Sequence, residues 1–244
     1  MSRCWAAVLG GCSSKMSGEH LVSKNQYGDD TETITVQGLP WCPHPKVIGL
    51  ASAVAKILCE KHNHALSPAD GAAKEVLRAL SLMRDRSEDK IPPLQFPMRR
   101  FTVSGDLFER WLLKTTINVA MVGKARPEAG IFEAGGLVAR RYVEIAVGLG
   151  QFDLDEGVYW VAKVGDQIQN RDLRSFAMRT WTRKSDGGLV AAQVRYHGYH
   201  LWLATRGAPA IQNALRLPTL KADNVAVQLN FTWSRQLPGP PGES

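Results

Sequence analysis

The sequence predicts an α+β chain, with a small Cys- and His-organised N-terminal module ahead of a larger part built of helices and antiparallel sheet. Three observations carry this. All four cysteines, Cys4, Cys12, Cys42 and Cys59, fall in the first quarter of the 244 residues. Helix-period apolar patterns follow, over 67–83, 105–123 and 137–149. From Gly157 onward the chain turns to segments rich in Val, Tyr, Trp and Phe with turn signals between them. The module with its trailing helix is expected over 1–84, the α+β part over 95–237, and a Pro/Gly-rich disordered tail over 238–244.

The first seventy residues are rich in Gly, Ser, Cys and His and poor in long periodic runs. That is the composition of a fold in which a metal replaces part of the core. Residues 37–46, with three prolines, read as a loop. Val47 to Cys59 is mostly apolar, and its period does not separate strand from helix. Ser67-Pro68-Ala69-Asp70 reads as a helix start, with Ser67 as N-cap, Pro68 at N1 and Asp70 as the capping-box carboxylate. That helix runs to about Met83, and Arg84 to Pro93 reads as a linker. The next helix, Gly105 to Gly123, sets Phe108, Trp111, Leu112, Thr115, Val119 and Val122 on one face. Strands are expected over Gly157–Val164, Ser175–Lys184, Leu189–Ala204 and Val225–Trp233. Lys184-Ser185-Asp186-Gly187-Gly188 forms a hairpin turn.

A net charge of +7 and a pI near 9.4 are compatible with a polyanionic partner such as DNA or RNA. No apolar run is long enough to span a membrane, and no signal peptide is read, so the expected compartment is the cytoplasm. There cysteines stay reduced, and clustered Cys and His point to metal rather than to disulfides. Cys59-Glu60-Lys61-His62 supplies two ligands from one tight turn. Cys4 and Cys12 are the natural second pair, with Gly10 and Gly11 turning the chain just before Cys12. The four together would close a structural Zn²⁺ site. Cys42 is the spare and could replace Cys4.

Between the pairs lies Ser17-Gly18-Glu19-His20-Leu21-Val22-Ser23-Lys24, so the order is Cys, Cys, Glu-His, then Cys-x-x-His-Asn. This order resembles the treble-clef branch of the HNH, or ββα-metal, endonuclease family over residues 1 to about 70. The resemblance implies an endonuclease that hydrolyses phosphodiester bonds. His20 would be the general base that activates water; Glu19 and Asn63 would hold a catalytic Mg²⁺ or Mn²⁺. A histidine that titrates near neutrality suits the first role, and hard oxygen donors suit the second. The chain departs from the family in three places. Seven residues separate the first two cysteines, His62 is the fourth ligand in place of Cys, and Glu19 stands where the family has Asp. A different class of function is a catalytically inactive, zinc-stabilised module that binds nucleic acid or protein. A third is a structural or regulatory chain without nucleic-acid contact.

Beyond residue 95 no catalytic motif is present. Arg99-Arg100, Arg140-Arg141 and Arg179 to Lys184 are basic clusters, the last with Trp181 among them. A basic surface with interleaved aromatics can track a nucleic-acid strand, although an ordinary sheet has the same letters. Tyr196 to Trp202 reads as a core strand with one wet face, and oligomeric state is not legible.

Overall fold

A computed structural model describes residues 4–24, 32–36, 42, 44–88, 97–123, 129–161, 177–196, 199–208, 214–215, 219–222 and 226–234. The tail over 238–244, His197, most of the 37–46 loop and residues 89–93 of the expected linker lie outside them; the first half of that linker, 84–88, is helical instead. No helix among the described residues is long and apolar enough to cross a membrane.

A short 3-10 turn, Ala7–Leu9, precedes β1 (Met16–His20). The strands β2 (Thr33–Val36) and β3 (Lys46–Gly49) pair with each other. β4 (Val54–Cys59) returns antiparallel to β1, with Met16 opposite Cys59 and His20 opposite Val54. The apolar stretch 47–59 is thus two strands joined by a 3-10 turn at Leu50–Ser52.

Helix α1 (Glu60–Glu88) begins immediately after β4. This corrects the expected start at Ser67: Pro68 is inside the helix, and Ser67 and Asp70 are not its cap. The reason is packing. Leu66, Ala69, Ala73, Val76, Leu77, Leu80 and Met83 are all buried. They continue the spacing of Cys59 and His62, so one apolar stripe carries the helix past the proline. Glu60 and Lys61 receive their caps from the preceding chain: the Glu60 N–H donates to the Lys15 carbonyl at 3.0 Å, and the Lys61 N–H to Ser13 Oγ at 3.3 Å.

β5 (Arg99–Ser104), not anticipated as a strand, leads into α2 (Gly105–Val122), which matches its expected span. Ser104 Oγ accepts the Leu107 N–H and caps it. Short strands β6 (Phe132–Glu133) and β7 (Leu137–Val138) precede α3 (Arg140–Val147). The third helix is therefore shorter than 137–149. Its first residues belong to a strand, and Gly148, at φ 89°, closes it in the left-handed region.

The C-terminal part contains β8 (Gly157–Val161), β9 (Ala177–Thr182), β10 (Leu189–Tyr196), β11 (Tyr199–Ala204), β12 (Ala214–Leu215), β13 (Thr219–Ala222) and β14 (Val227–Thr232). Leu189–Ala204 is two strands rather than one, with Tyr196 opposite Tyr199. Five strands form an antiparallel sheet in the order β12-β8-β11-β10-β9. The rest is not purely antiparallel, because β14 pairs parallel to β5 and antiparallel to β13.

Buried side chains from Cys4 to Phe231 form one core cluster that crosses from residues 1–84 into the rest of the chain. Phe108, Trp111, Phe231 and Trp160 link α2, β14 and β8 through ring contacts of 5.5–6.0 Å. α1 reaches from the cysteines to the sheet. Near its far end Ser81 Oγ lies 3.1 Å from the Tyr196 hydroxyl, and the Tyr199 hydroxyl donates to Met83 Sδ at 3.5 Å.

Candidate metal centre and the buried polar cluster

The N-terminal segment, β1, β4 and the first turn of α1 bring four ligand atoms together. Cys4, Cys12, Cys59 and His62 offer theirs within 4.8 Å of one another. His62 Nδ1 lies 3.4 Å from Cys4 Sγ, 3.7 Å from Cys12 Sγ and 3.2 Å from Cys59 Sγ. Four donors around one tetrahedral ion, with metal–sulfur near 2.3 Å and metal–nitrogen near 2.0 Å, are separated by roughly 3.6 Å. The group therefore fits a single metal ion. Cys42 is not part of it; its thiol donates to the His44 carbonyl at 3.2 Å.

Local sequence explains the arrangement. Gly10 and Gly11 both have left-handed φ, 74° and 62°, which delivers Cys12 to the cluster. The Trp5 N–H donates to the Ile57 carbonyl at 2.9 Å and lays Cys4 against β4. Cys59 stands at the N-cap position of α1. Burial pushes Cys4 up to about 12, more than the Cys59 and Ala6 N–H groups offset. Cys59 is drawn down to about 6: burial opposes this, but the His62 and Ser13 N–H groups, the Ser13 hydroxyl and the Cys4 thiol outweigh it. A metal here would take the place of the Cys4 proton, so binding would release protons.

A second polar cluster lies beside the first, between β1, α1 and α2. Glu19 is buried, and Lys114 Nζ lies 2.7 Å from its Oε1. The same ammonium reaches Asp70 at 2.8 and 3.0 Å. The Ser23 hydroxyl donates to Asp70, and Trp111 Nε1 donates to Ser23 Oγ at 3.2 Å. Asn118 Nδ2 donates to Glu19 at 3.4 Å and its Oδ1 accepts Trp5 Nε1 at 3.1 Å. Burial raises the Glu19 carboxyl above its usual range, with Asp70 adding to the rise and Lys114 and Asn118 opposing it.

His20 ends β1 and is half-buried. Burial first, then Lys24 and Lys114, hold its imidazole below the usual value. Its backbone carbonyl accepts from Asn118 Nδ2 at 3.5 Å. Asn63, in the first turn of α1, donates to Ser17 Oγ at 2.9 Å. Glu19 and Asn63 thus have different partners, a lysine and a serine. Sequence reasoning missed Lys114 and Asn118 and set Asp70 aside as a helix cap. The available signal was a lysine and an asparagine at helical spacing from Trp111, on a face otherwise apolar.

A comparison of the chain with protein-family models, curated proteins and solved structures found no match.

Proposed function

We propose that the N-terminal segment is a treble-clef module held by a structural Zn²⁺ on Cys4, Cys12, Cys59 and His62, and that the protein binds nucleic acid without cleaving it. Three thiols and one imidazole form a closed donor set that leaves no open position, which suits zinc as a fold staple. A strand pair followed at once by a helix whose first turn carries Cys-x-x-His supports the treble-clef reading. The net charge of +7 supports a polyanionic partner.

The observation that carries the non-hydrolytic part is the Lys114 ammonium, 2.7 Å from Glu19 and 2.8 Å from Asp70. A divalent cation on Glu19 would have to displace a buried lysine already held by two carboxylates. Asn63, the other expected ligand, is held through its Nδ2 by Ser17 Oγ, whereas Glu19 is held by Lys114. Hydrolysis with His20 as base is a second reading. It is favoured by the lowered His20 pKa, which keeps the imidazole in its basic form at neutral pH.

The experiment is zinc analysis of the purified chain, with binding and cleavage assays on plasmid DNA and a structured RNA in Mg²⁺, Mn²⁺ or EDTA. One zinc per chain, binding, and no metal-dependent cleavage are expected. Cleavage that a folded His20→Ala protein loses would establish the nuclease. A folded chain without zinc would overturn the metal assignment.

A further inference from the structure

We propose that the outward face of the five-stranded sheet is a platform for single-stranded nucleic acid, on which bases stack against Trp181 and Trp202. This rests on the nucleic-acid reading above and names its surface and strand type. The sheet has two unlike faces. Val158, Trp160, Val194, Leu201 and Leu203 are buried toward the core. On the opposite face, register aligns Arg179, Gln193, Trp202 and Tyr159 in one row across β9, β10, β11 and β8. Four strands at about 4.8 Å spacing make that row roughly 14 Å long. A neighbouring cross-strand pair is Arg195 and His200.

Three aromatics, Tyr159, Trp181 and Trp202, stand on this face. Trp181 and Trp202 lie on strands that flank β10, yet their ring centroids are 4.3 Å apart. They meet there because the intervening outward residue opposite Trp181 is Ala191, whose methyl leaves room. Both indoles are only half-buried. The guanidinium of Arg179 lies 5.6 Å from the Trp181 ring centroid and extends the stack with a cation.

Charge selects the occupant. The five strands contain Arg179 and Arg195, both exposed, and no Asp or Glu. Outside these strands, Arg141 pairs with Glu156 and Asp153, and Arg183 with Asp186. An aromatic, cationic face whose strands carry no carboxylate among the described residues is complementary to a strand whose bases are free to stack and whose phosphates carry the charge. A duplex keeps its bases stacked on one another and offers the indoles nothing comparable.

The test uses the zinc-loaded full chain with fluorescein-labelled twelve-residue oligothymidine and oligouridine, and a twelve-base-pair mixed-sequence duplex. Single strands are expected to bind at least about tenfold more tightly than duplex and to quench tryptophan fluorescence. Trp181→Ala and Trp202→Ala should each weaken binding about tenfold or more, with Trp202→Phe retaining most of it. Arg179→Ala and Arg195→Ala should each reduce the slope of log K against log salt by about 0.7. Circular dichroism and zinc content, unchanged in these variants, exclude misfolding. Equal affinity for duplex, or oligonucleotide binding unaltered by both Trp→Ala variants, overturns the platform but leaves nucleic-acid binding standing. Absence of binding to any nucleic acid by the zinc-loaded chain removes both, and polyglutamate that competes equally well makes the face a site for acidic protein.

Discussion

Lys114 is 1% exposed and faces Glu19 and Asp70 together. A lysine so placed is retained only because two carboxylates compensate its desolvation. Lys114→Met should leave both acids without their counter-charge and cost about 3–5 kcal/mol, read by urea unfolding. Adding Glu19→Gln to that variant should recover part of the loss, since one of the stranded charges is then gone. Additive losses in the double variant would show that the pair is not coupled. His20 makes a different, pH-dependent contribution. Its folded pKa is lowered, so below the ordinary histidine value the unfolded chain binds the proton more readily. The His20 contribution is therefore present above about pH 6.5 and is lost as pH falls through the lowered value. In His20→Gln, with zinc in excess, the fall in Tm between pH 7.5 and 5.5 should be shallower than in the wild type. Parallel curves would assign the whole decline to other groups.

At the scale of elements, what was legible followed periodicity. α2 matches because Phe108, Trp111 and Leu112 recur at helical spacing and Ser104 caps the start. The cluster of Cys4, Cys12, Cys59 and His62 was legible because metal ligands of these types at short spacing have few other uses. α1 was misjudged because Ser67-Pro68 carries a strong local start signal, while the burial that overrides it comes from strands and helices distant in sequence. β5 was missed because its partner, β14, lies more than a hundred residues away. The Lys114 cluster was missed for the same reason, its members coming from β1, α1 and α2. Pro68 now stands exposed inside α1, without the N–H that the turn needs. Pro68→Ala should raise stability by about 1–3 kcal/mol, seen as a higher Tm, because it restores a helical hydrogen bond and removes no packing. A lower Tm would mean that Pro68 stabilises the chain by restricting its unfolded state by more than the missing hydrogen bond costs.

Across the whole molecule, the Cys4, Cys12, Cys59 and His62 group is an edge of the main core rather than a separate bead. Cys4, Trp5 and Cys59 belong to the same buried cluster as Trp160 and Phe231, and α1 carries the connection from His62 to Tyr199. Loss of the ion would release three thiols and an imidazole at the point where the N-terminal segment, β4 and α1 meet. Structural zinc supplies about 10–16 kcal/mol in isolated finger peptides, where no other core exists. Here the remaining core persists, so a smaller loss is expected. Even about 5 kcal/mol corresponds to a fall of about 10–20 °C in Tm for a chain of this size. Because the core is continuous, chelation should lower one cooperative transition rather than split it into two, and the calorimetric and van't Hoff enthalpies should agree before and after. Cys59→Ser should reproduce the shift without chelator and should blunt any further effect of it. Two separated transitions after chelation would show instead that residues 1–84 unfold as an independent unit, with the contacts of α1 to the sheet too weak to couple them.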